Sequence, residues 1–465
     1  MIISLSNNKF TNFFRKDWLL LLIISIISLI VHYAFFAHPG SVVFDEVHIG
    51  RFIVEYLKGN YLFDVHPPLG RLIFLFFAYI IGADTITDFS QIGNALPEWA
   101  LFLRIVPTFA GALLPVIIYG ILRLLNISKF FAFIAGLLIC LENSLIVHSR
   151  FLLTDSLLLM FGFLSILIYL LYIKYENKIK YSSFIFFLSI IFACFAFSIK
   201  WTGLSFLFLI LVFEIQRRGI RKSIKSIFAS FIIFFTIYSF IISIHFTLLP
   251  NSGTGDDFMV PAFQKTLIGN RFVNDNNLQP IGFWNKFYQL NREMLNANLR
   301  ISKTHSYTSE WYTWPVQYRS IYYWTKVDPI NPEIASHIYL IGNPLLYLAS
   351  LISILYLLNF TLKNKISKII DAEVFVVLGF LINFIPFMFI GRIMFLYHYE
   401  VALIFGLMAI PIVINKIENL KLRDLALVSI IFISFILFIY FSPLTYGLPI
   451  TNDQLNAHLW LKTWR

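Results

Sequence analysis

Apolar runs long enough to cross a lipid bilayer recur along almost the whole chain, and they constrain its fold more than any other feature. A transmembrane helix needs about 20 mostly apolar residues. Of the 465 residues, 58% are hydrophobic and only 13% are charged, whereas a soluble domain carries roughly 25% charged residues. This composition excludes an ordinary soluble enzyme, a disordered chain and a fibrous protein. It predicts an all-α polytopic membrane protein, because β-barrel strands alternate over roughly 10 residues and these runs do not.

Eleven membrane-spanning helices are predicted from these runs. They cover residues 17–36, 101–122, 130–148, 151–173, 181–199, 201–215, 226–249, 337–359, 373–390, 394–414 and 424–443. The turn between the fifth and sixth spans is tight. The chain is therefore predicted to form a single membrane domain over residues 1–465.

The distribution of basic residues predicts the orientation of these spans. Cytoplasmic loops carry an excess of Lys and Arg, so the N-terminus is placed in the cytoplasm. The residues assigned to the cytoplasm are Lys9, Arg15, Lys16, Arg123, Lys129, Lys174, Lys178, Lys180, Arg217, Arg218, Arg221, Lys222, Lys225, Lys363, Lys365, Lys368, Lys416, Lys421 and Arg423. The short outer turns carry one basic residue each. The net charge of +11 is thus attributed to cytoplasmic loops and not to nucleic-acid binding.

Two long segments lie on the outer side in this orientation, at residues 37–100 and 250–336. Long loops in membrane proteins usually serve binding or chemistry. The first contains an apolar stretch at residues 72–81 that is too short to span. We expect that stretch to form a helix lying in the outer membrane interface.

Ionisable residues collect on the same outer side. They are Asp45, Glu46, Asp64, His66, Arg104, His148, Arg150, Asp155, Lys200, Arg392, His398 and Glu400. Each has an ordinary explanation: a solvated loop for Asp45, an ion pair between Arg150 and Asp155, or a Lys200 side chain that reaches the headgroups. Together, cations around a lipid phosphate and a carboxylate that deprotonates an acceptor hydroxyl suit a group transfer at the membrane surface.

The same residues resemble a known family, the protein O-mannosyltransferases, which are membrane glycosyltransferases of the GT-C fold. The resemblance begins with Asp45-Glu46-Val47-His48 and Phe63-Asp64-Val65-His66-Pro67-Pro68-Leu69-Gly70. It continues through Arg104-Ile105-Val106-Pro107, His148-Ser149-Arg150 with Asp155-Ser156, Lys200-Trp201-Thr202-Gly203, His305-Ser306-Tyr307, Trp314-Pro315, Gly342-Asn343-Pro344 and Tyr397-His398-Tyr399. The order and spacing of these motifs over nearly the whole chain make the match specific.

The resemblance implies an inverting transfer of mannose from a polyprenyl or dolichyl phosphate to Ser or Thr hydroxyls of exported proteins. Asp45 would be the catalytic base and Glu46 would position the acceptor. The donor phosphate would be bound by Arg150, Lys200, Arg392 and Arg104. The sugar and acceptor pocket would include Asp64, His66, Asp155, His305, Tyr307, Trp314 and His398. It implies no obligatory cofactor or metal, and a possible dimer.

One feature departs from the family. Its eukaryotic members carry a β-trefoil insertion in the second long loop, which here spans only residues 250–336. This favours a bacterial or archaeal type acting at the outer face of the cytoplasmic membrane. Two alternatives stay open: a GT-C transferase that uses another sugar or a lipid or glycan acceptor, and a transporter or flippase. Transporters show repeated halves with charges near the bilayer midplane, and no such repeat is visible here.

Overall fold

The computed structural model describes residues 17–177, 182–300, 305–364 and 371–465. Among these residues, seven helices are long and apolar enough to cross a membrane: Glu98–Leu124, Asp155–Tyr175, Ile220–Leu248, Pro344–Lys363, Ala372–Phe389, Leu396–Asn415 and Leu420–Tyr446. An eighth results if Lys129–Cys140 and Asn143–Ser149, which are bent by 61° relative to each other, form one span. The chain is therefore a multi-pass membrane protein.

Shorter helices occupy the remaining predicted spans. They are Trp18–Tyr33, Ser182–Phe197 and Leu204–Arg218, and they correspond to the first, fifth and sixth predicted spans. Because these three helices are shorter than the seven that are long enough to cross a membrane, the predicted count of eleven stays a prediction. Seven basic residues used for the orientation lie outside the described residues: Lys9, Arg15, Lys16, Lys178, Lys180, Lys365 and Lys368. So does residue 181, the first of the fifth predicted span.

The predicted start of the eighth span is wrong. Residues Ile334–Leu340 form a β-strand, and the helix begins only at Pro344. Proline is favoured at the first position of a helix because it needs no hydrogen-bond partner for a backbone N–H there. A short apolar run that precedes a helix cannot be assigned to strand or helix from periodicity, which explains the error.

The break after Cys140 has a specific cause. The buried Glu142 carboxylate accepts hydrogen bonds from the backbone N–H of Ser144 at 3.0 Å and of Asn343 at 3.1 Å. It therefore caps the helix Asn143–Ser149 and ties it to the start of Pro344–Lys363. Capping by a carboxylate satisfies N–H groups that would otherwise be unpaired in the membrane.

The two long segments meet at one end of the helical bundle, called the loop end here. The first holds the helices Glu46–Lys58 and Leu69–Ile80, and the second holds Pro261–Gln264 and Phe283–Arg300. Asn251 joins them, because its backbone N–H donates to Gly59 and its carbonyl accepts from Tyr61. The helix predicted within residues 72–81 is thus present, with different bounds, while its location in the membrane interface stays a prediction.

A small sheet at the loop end was not expected from an all-α interpretation. Strand β1 (Ile321–Val327) pairs antiparallel with β2 (Ile334–Leu340), which pairs antiparallel with β3 (Pro449–Thr451). The register between β1 and β2 shifts between Tyr322 and Trp324. The remaining short elements are the helix Asn452–His458 and 3-10 turns at Trp201–Gly203, Asp256–Phe258, Trp311–Val316 and Lys462–Trp464. Two further 3-10 segments, Ile385–Phe389 and Leu396–Tyr399, form the end of Ala372–Phe389 and the start of Leu396–Asn415.

A tight corner after the helix Ser182–Phe197 sets the position of Lys200. Two backbone N–H groups, those of Ile199 and Lys200, donate to the carbonyl of Ala196 at 3.2 Å. Gly203 packs directly against that carbonyl, and a Cβ at position 203 would lie 2.6 Å from the Ala196 oxygen and 2.6 Å from the Phe197 nitrogen. Backbone atoms cannot move aside as a flexible side chain can.

We therefore expect Gly203→Ala to destabilise the protein by about 1–3 kcal/mol, which is typical of overpacking a close contact. The midpoint of thermal unfolding in detergent would measure it. Gly282→Ala is the matched control, because a Cβ there meets nothing within 4 Å. Equal midpoints for the two variants would show that the corner tolerates a methyl group.

Candidate active site

A cavity of about 370 Å³ at the loop end is lined by five of the eleven residues predicted to bind the phosphate, sugar or acceptor, namely His66, Asp155, Lys200, Arg392 and His398. Its other polar lining residues include Asn298, Asn383 and Glu400. Its apolar lining residues include Leu158, Leu159, Leu295, Leu299, Phe387 and Ile390. The cavity thus offers cations and hydrogen-bonding groups together with a surface for hydrocarbon.

Lys200 and Asp155 form the central ion pair of this cavity. The Lys200 ammonium lies 2.6 Å and 2.7 Å from the two oxygens of Asp155. Asp155 is the first residue of a long helix, where the helix dipole stabilises a negative charge. The predicted pairing of Asp155 with Arg150 is therefore wrong, because Asp155 is paired with Lys200 and Arg150 is engaged elsewhere.

A buried histidine extends the ion pair into a row of polar groups. His148 Nδ1 lies 2.6 Å from the Glu400 carboxylate, and His148 Nε2 lies 3.5 Å from Asp155. His148 and Glu400 are both buried. The row from Glu400 through His148 and Asp155 to Lys200 holds each partner in one orientation, because buried charges are stable only when paired and hydrogen-bonded.

Asp45 lies immediately beside this row. It precedes the helix Glu46–Lys58, and burial raises the pKa of its half-buried carboxyl group. The positive charges of His48, Lys200 and His148 act against this shift, while Asp155 adds to it. A carboxylate with a raised pKa beside cations has the electrostatic setting of a general base.

The residue before Asp45 has an unusual backbone conformation. Phe44 has φ of +47°, in the left-handed region that non-glycine residues rarely adopt. Its ring stacks on Tyr323 with centroids 4.0 Å apart and planes at 6°, and its N–H donates to the Tyr323 carbonyl at 3.2 Å. Strand β1 thus holds the turn that directs Asp45.

The predicted role of Glu46 in positioning an acceptor stays a prediction, and the structure shows its carboxylate engaged by other parts of the protein. Its carboxylate is fully buried and accepts from Arg104 Nε at 2.8 Å and Arg104 Nη2 at 2.7 Å. It also accepts from the backbone N–H groups of Val43 at 2.8 Å and Leu152 at 2.9 Å. Its oxygens are therefore occupied by the protein itself.

Two predicted phosphate ligands are also occupied by the protein. Arg104 donates to the carbonyls of Pro39 at 2.6 Å and Ser41 at 2.8 Å in addition to Glu46. The buried Arg150 donates to three carbonyls, namely Thr445 at 3.0 Å, Phe35 at 2.7 Å and His38 at 3.1 Å. Neither arginine lines the cavity. The assignment of Arg104 and Arg150 to the donor phosphate is therefore not retained.

Arg392 has the accessibility that Arg104 and Arg150 lack. It lines the cavity, is half-buried, and donates to the side-chain oxygen of Asn298 at 2.7 Å. Since Asn298 is neutral, this bond leaves the charge of Arg392 uncompensated by a carboxylate at that contact. Arg392 thus presents its charge to the cavity, and Lys200, although paired with Asp155, also lines it.

Two of the three predicted pocket histidines, His66 and His398, line the same cavity. Burial, together with the nearby charges of Lys200 and Arg392, lowers the pKa of His66 well below its usual range, so His66 is neutral. His398 stacks on the buried Trp314, with centroids 6.0 Å apart and planes at 11°. Trp314 therefore packs against His398 but does not itself line the cavity.

Three further predicted pocket residues lie away from the cavity lining. Asp64 forms an ion pair with Arg71, whose Nη2 donates to the His66 carbonyl at 2.8 Å. This pair fixes the loop that carries His66. His305 is exposed and its ring lies edge-on to Phe395 with centroids 5.1 Å apart, and its Nδ1 accepts from the N–H of Tyr307. No direct substrate role is assigned to Asp64, His305 or Tyr307.

Two residues of this region were missed by sequence reasoning. Tyr323 lies beside Asp45, and Asn298 holds Arg392. Neither stands out among the many tyrosines and asparagines of the second long segment, and only their neighbours in space reveal them. Glu400 and Tyr397 were within a predicted cluster, but their contacts with His148 and Lys200 were not predicted.

Among the described residues, no group of three or more His, Cys, Asp or Glu side chains has a geometry that could hold a metal ion. The expectation that the reaction needs no metal stays a prediction.

The buried Glu46–Arg104 pair allows a structural role to be separated from a phosphate-binding role. We expect Arg104→Met to destabilise the protein by about 3–5 kcal/mol, because it leaves Glu46 buried without its charged partner. Arg392→Met is the matched control and should leave the midpoint of thermal unfolding nearly unchanged. If Arg104→Met instead kept its stability and only weakened donor binding, the structural assignment would be wrong.

Comparisons with known proteins identify the family of this chain. Residues 22–250 match the family described as dolichyl-phosphate-mannose-protein mannosyltransferase, and residues 283–464 match the C-terminal four TMM region of protein-O-mannosyltransferase. Dolichyl-phosphate-mannose--protein mannosyltransferase 1 of Saccharomyces cerevisiae is 30% identical over 273 residues, which cover 55% of this chain and 33% of the relative. Protein O-mannosyl-transferase 1 of Danio rerio is 32% identical over 249 residues, covering 50% and 34%. The matched part of the chain spans about a third of the length of these curated relatives.

Solved structures show the fold. A chain of the S. cerevisiae protein O-mannosyltransferase Pmt1-Pmt2 complex bound to the sugar donor aligns with a TM-score of 0.86 at 19% identity, covering 100% of this chain and 93% of that one. The Archaeoglobus fulgidus oligosaccharyltransferase aligns with a TM-score of 0.55 at 13% identity, covering 96% and 57%. Because the two family matches follow each other along most of the sequence, the chain belongs to the protein O-mannosyltransferase family and has the GT-C fold.

Proposed function

We propose that this protein transfers mannose from a polyprenyl phosphate mannose to Ser or Thr hydroxyl groups of proteins. The observation that carries the proposal is the half-buried Asp45 beside a cavity that presents Lys200 and Arg392. The arrangement supplies a base together with cations for a leaving phosphate. Both are needed when a hydroxyl displaces a phosphate from a sugar.

The proposed reaction is a single displacement with inversion. The acceptor oxygen forms a bond to the anomeric carbon of mannose while the bond from that carbon to the phosphate oxygen breaks. Asp45 takes the proton of the acceptor hydroxyl, and the electron pair of the broken bond stays on the polyprenyl phosphate. No covalent intermediate with the protein is involved.

Lys200 and Arg392 bind the donor phosphate in this proposal. Arginine and lysine both favour phosphate oxygens, and hydrogen bonds to an ionised group are about twice as strong as neutral ones. Leu158, Leu159, Leu295 and Leu299 line the same cavity and suit the first isoprene units of the donor. The neutral His66 and the stacked His398 then lie where they can contact the sugar.

The proposal also includes the location of the reaction. The positive-inside pattern supports an N-terminus in the cytoplasm and a loop end on the outer face of the cytoplasmic membrane. Exported proteins become accessible on that side. The solved relative is a complex of two mannosyltransferase chains, which supports a test for dimers of this chain.

The first experiment is a transfer assay with purified protein in detergent, radiolabelled polyprenyl phosphate mannose and a Ser/Thr-rich peptide. We expect Asp45→Asn to reduce transfer by at least about a hundredfold, because general base catalysis contributes roughly 10²–10⁴-fold. Asp88→Asn, an exposed position in the same long segment, is the matched control and should keep full activity. Donor consumption without peptide labelling would mean that the acceptor is another molecule. Unchanged transfer by Asp45→Asn would remove Asp45 as the base.

The pH dependence of kcat/KM provides an independent test. Asp45 accepts a proton only when it is ionised, so the rate falls as the pH drops through its pKa. Burial raises that pKa above 3.8, and Lys200 is among the cations that hold it down. Lys200→Met should therefore move the acidic limb to higher pH as well as weaken donor binding. Lys326→Met, an exposed control on β1, should leave the limb in place, and an unmoved limb in Lys200→Met would contradict the assignment.

A further inference from the structure

The phenol of Tyr323 has no partner in a place where an unpaired polar group is costly. Its side chain is 1% exposed, and within the described residues its hydroxyl oxygen has no hydrogen-bond partner. Leaving a buried hydroxyl unpaired is unfavourable because its lost hydrogen bonds to water are not replaced. The rest of the residue is tightly held, because its ring stacks on Phe44 and its carbonyl accepts from the Phe44 N–H.

The surroundings of this hydroxyl are those of the proposed reaction. The charged groups that face Tyr323 are Glu400, Asp45 and Asp155, and the phenol of Tyr397 lies nearby. Glu400, Asp155 and Tyr397 line the cavity, while Asp45 is the proposed base. The ring of His148 lies 6.4 Å from that of Tyr323. Tyr323 is not itself a lining residue of the cavity, but it contacts the turn that precedes the base and lies next to His148, whose partners Glu400 and Asp155 line the cavity.

The phenol can act only as a neutral donor or acceptor here. Burial raises the pKa of Tyr323 well above its usual value, and the carboxylates of Glu400, Asp45 and Asp155 add to the shift. A neutral phenol among carboxylates suits a hydroxylated ligand, which can both accept from it and donate to the acids. A sugar ring has such hydroxyl groups at several positions.

We propose that Tyr323 donates a hydrogen bond to a hydroxyl group of the transferred sugar. This inference rests on the proposed function, in which the anomeric carbon must lie between Asp45 and the phosphate-binding cations. A sugar in that position lies next to the groups that surround Tyr323. The residue then has two tasks: its ring supports the turn that holds Asp45, and its hydroxyl recognises the sugar.

The test compares wild type and Tyr323→Phe with mannosyl donors that each lack one ring hydroxyl. Wild type should transfer one of these deoxy sugars roughly tenfold more slowly than mannose in kcat/KM, because a hydrogen bond contributes about 1 kcal/mol or more. Tyr323→Phe should lose mannose transfer by a similar factor and no longer discriminate against that deoxy donor. Tyr322→Phe, the same substitution one position away, is the matched control and should discriminate as wild type does.

Protein stability gives a second readout that a structural role would move in the opposite direction. Because Tyr323→Phe removes an unpaired buried hydroxyl and keeps the stacked ring, its thermal midpoint without donor should equal or exceed that of wild type. A lowered midpoint, or full retention of discrimination against every deoxy donor, would overturn the inference. The inference would also be overturned if Tyr323→Phe slowed transfer equally with all donors and raised the KM for the peptide. That result would mean that the phenol contacts the acceptor and not the sugar. Failure of the proposed function is recognised separately, since wild type would then transfer no mannose and the inference would fall with it.

Discussion

The buried ion pair between Glu46 and Arg104 is the interaction on which the proposed catalytic turn depends. Both side chains are fully buried, so neither can exist without the other at an acceptable energetic cost. Glu46 also binds the backbone of Val43 and Leu152, and Arg104 binds that of Pro39 and Ser41. The turn containing Asp45 is therefore tied on both sides to the transmembrane bundle. An ion pair at this position fixes geometry, whereas its net contribution to stability can be small.

The long segments contribute to the site in different ways. The first brings Asp45 and His66, and the second brings Asn298 and Tyr323. Phe44 connects them, because its left-handed backbone conformation is compensated by stacking on Tyr323. Strained residues persist only where surrounding contacts determine their conformation. The small sheet thus supports the turn at Phe44 and Asp45, because Tyr323 on strand β1 contacts both the ring and the backbone of Phe44.

The sequence predicted the region of the site better than the role of each residue. Lys200, Asp155 and Arg392 were identified because charges beside apolar spans are rare and need partners or ligands. The arginines could not be sorted in this way, because Arg150 is satisfied by the carbonyl of Thr445, which lies 295 positions later in the chain. Likewise, the strand Ile334–Leu340 is apolar enough to be taken for the start of a span, and only its pairing with neighbouring strands defines it.

The proposed reaction moves one negative charge across the site. A phosphodiester carries one negative charge, and the phosphate monoester that leaves carries about −1.5 to −2 near neutral pH. Over the same step Asp45 becomes neutral by taking the acceptor proton. Arg392 lines the cavity and favours the added charge on the phosphate, and the Asp155 carboxylate favours its loss from Asp45. These interactions are stronger in the transition state than with the bound donor, which is the condition for accelerating the reaction. If every cation lay at the same distance from Asp45 and from the phosphate, the site could bind the donor tightly. It would not stabilise the transition state more than the bound donor, because the charge would move between two equally stabilised positions.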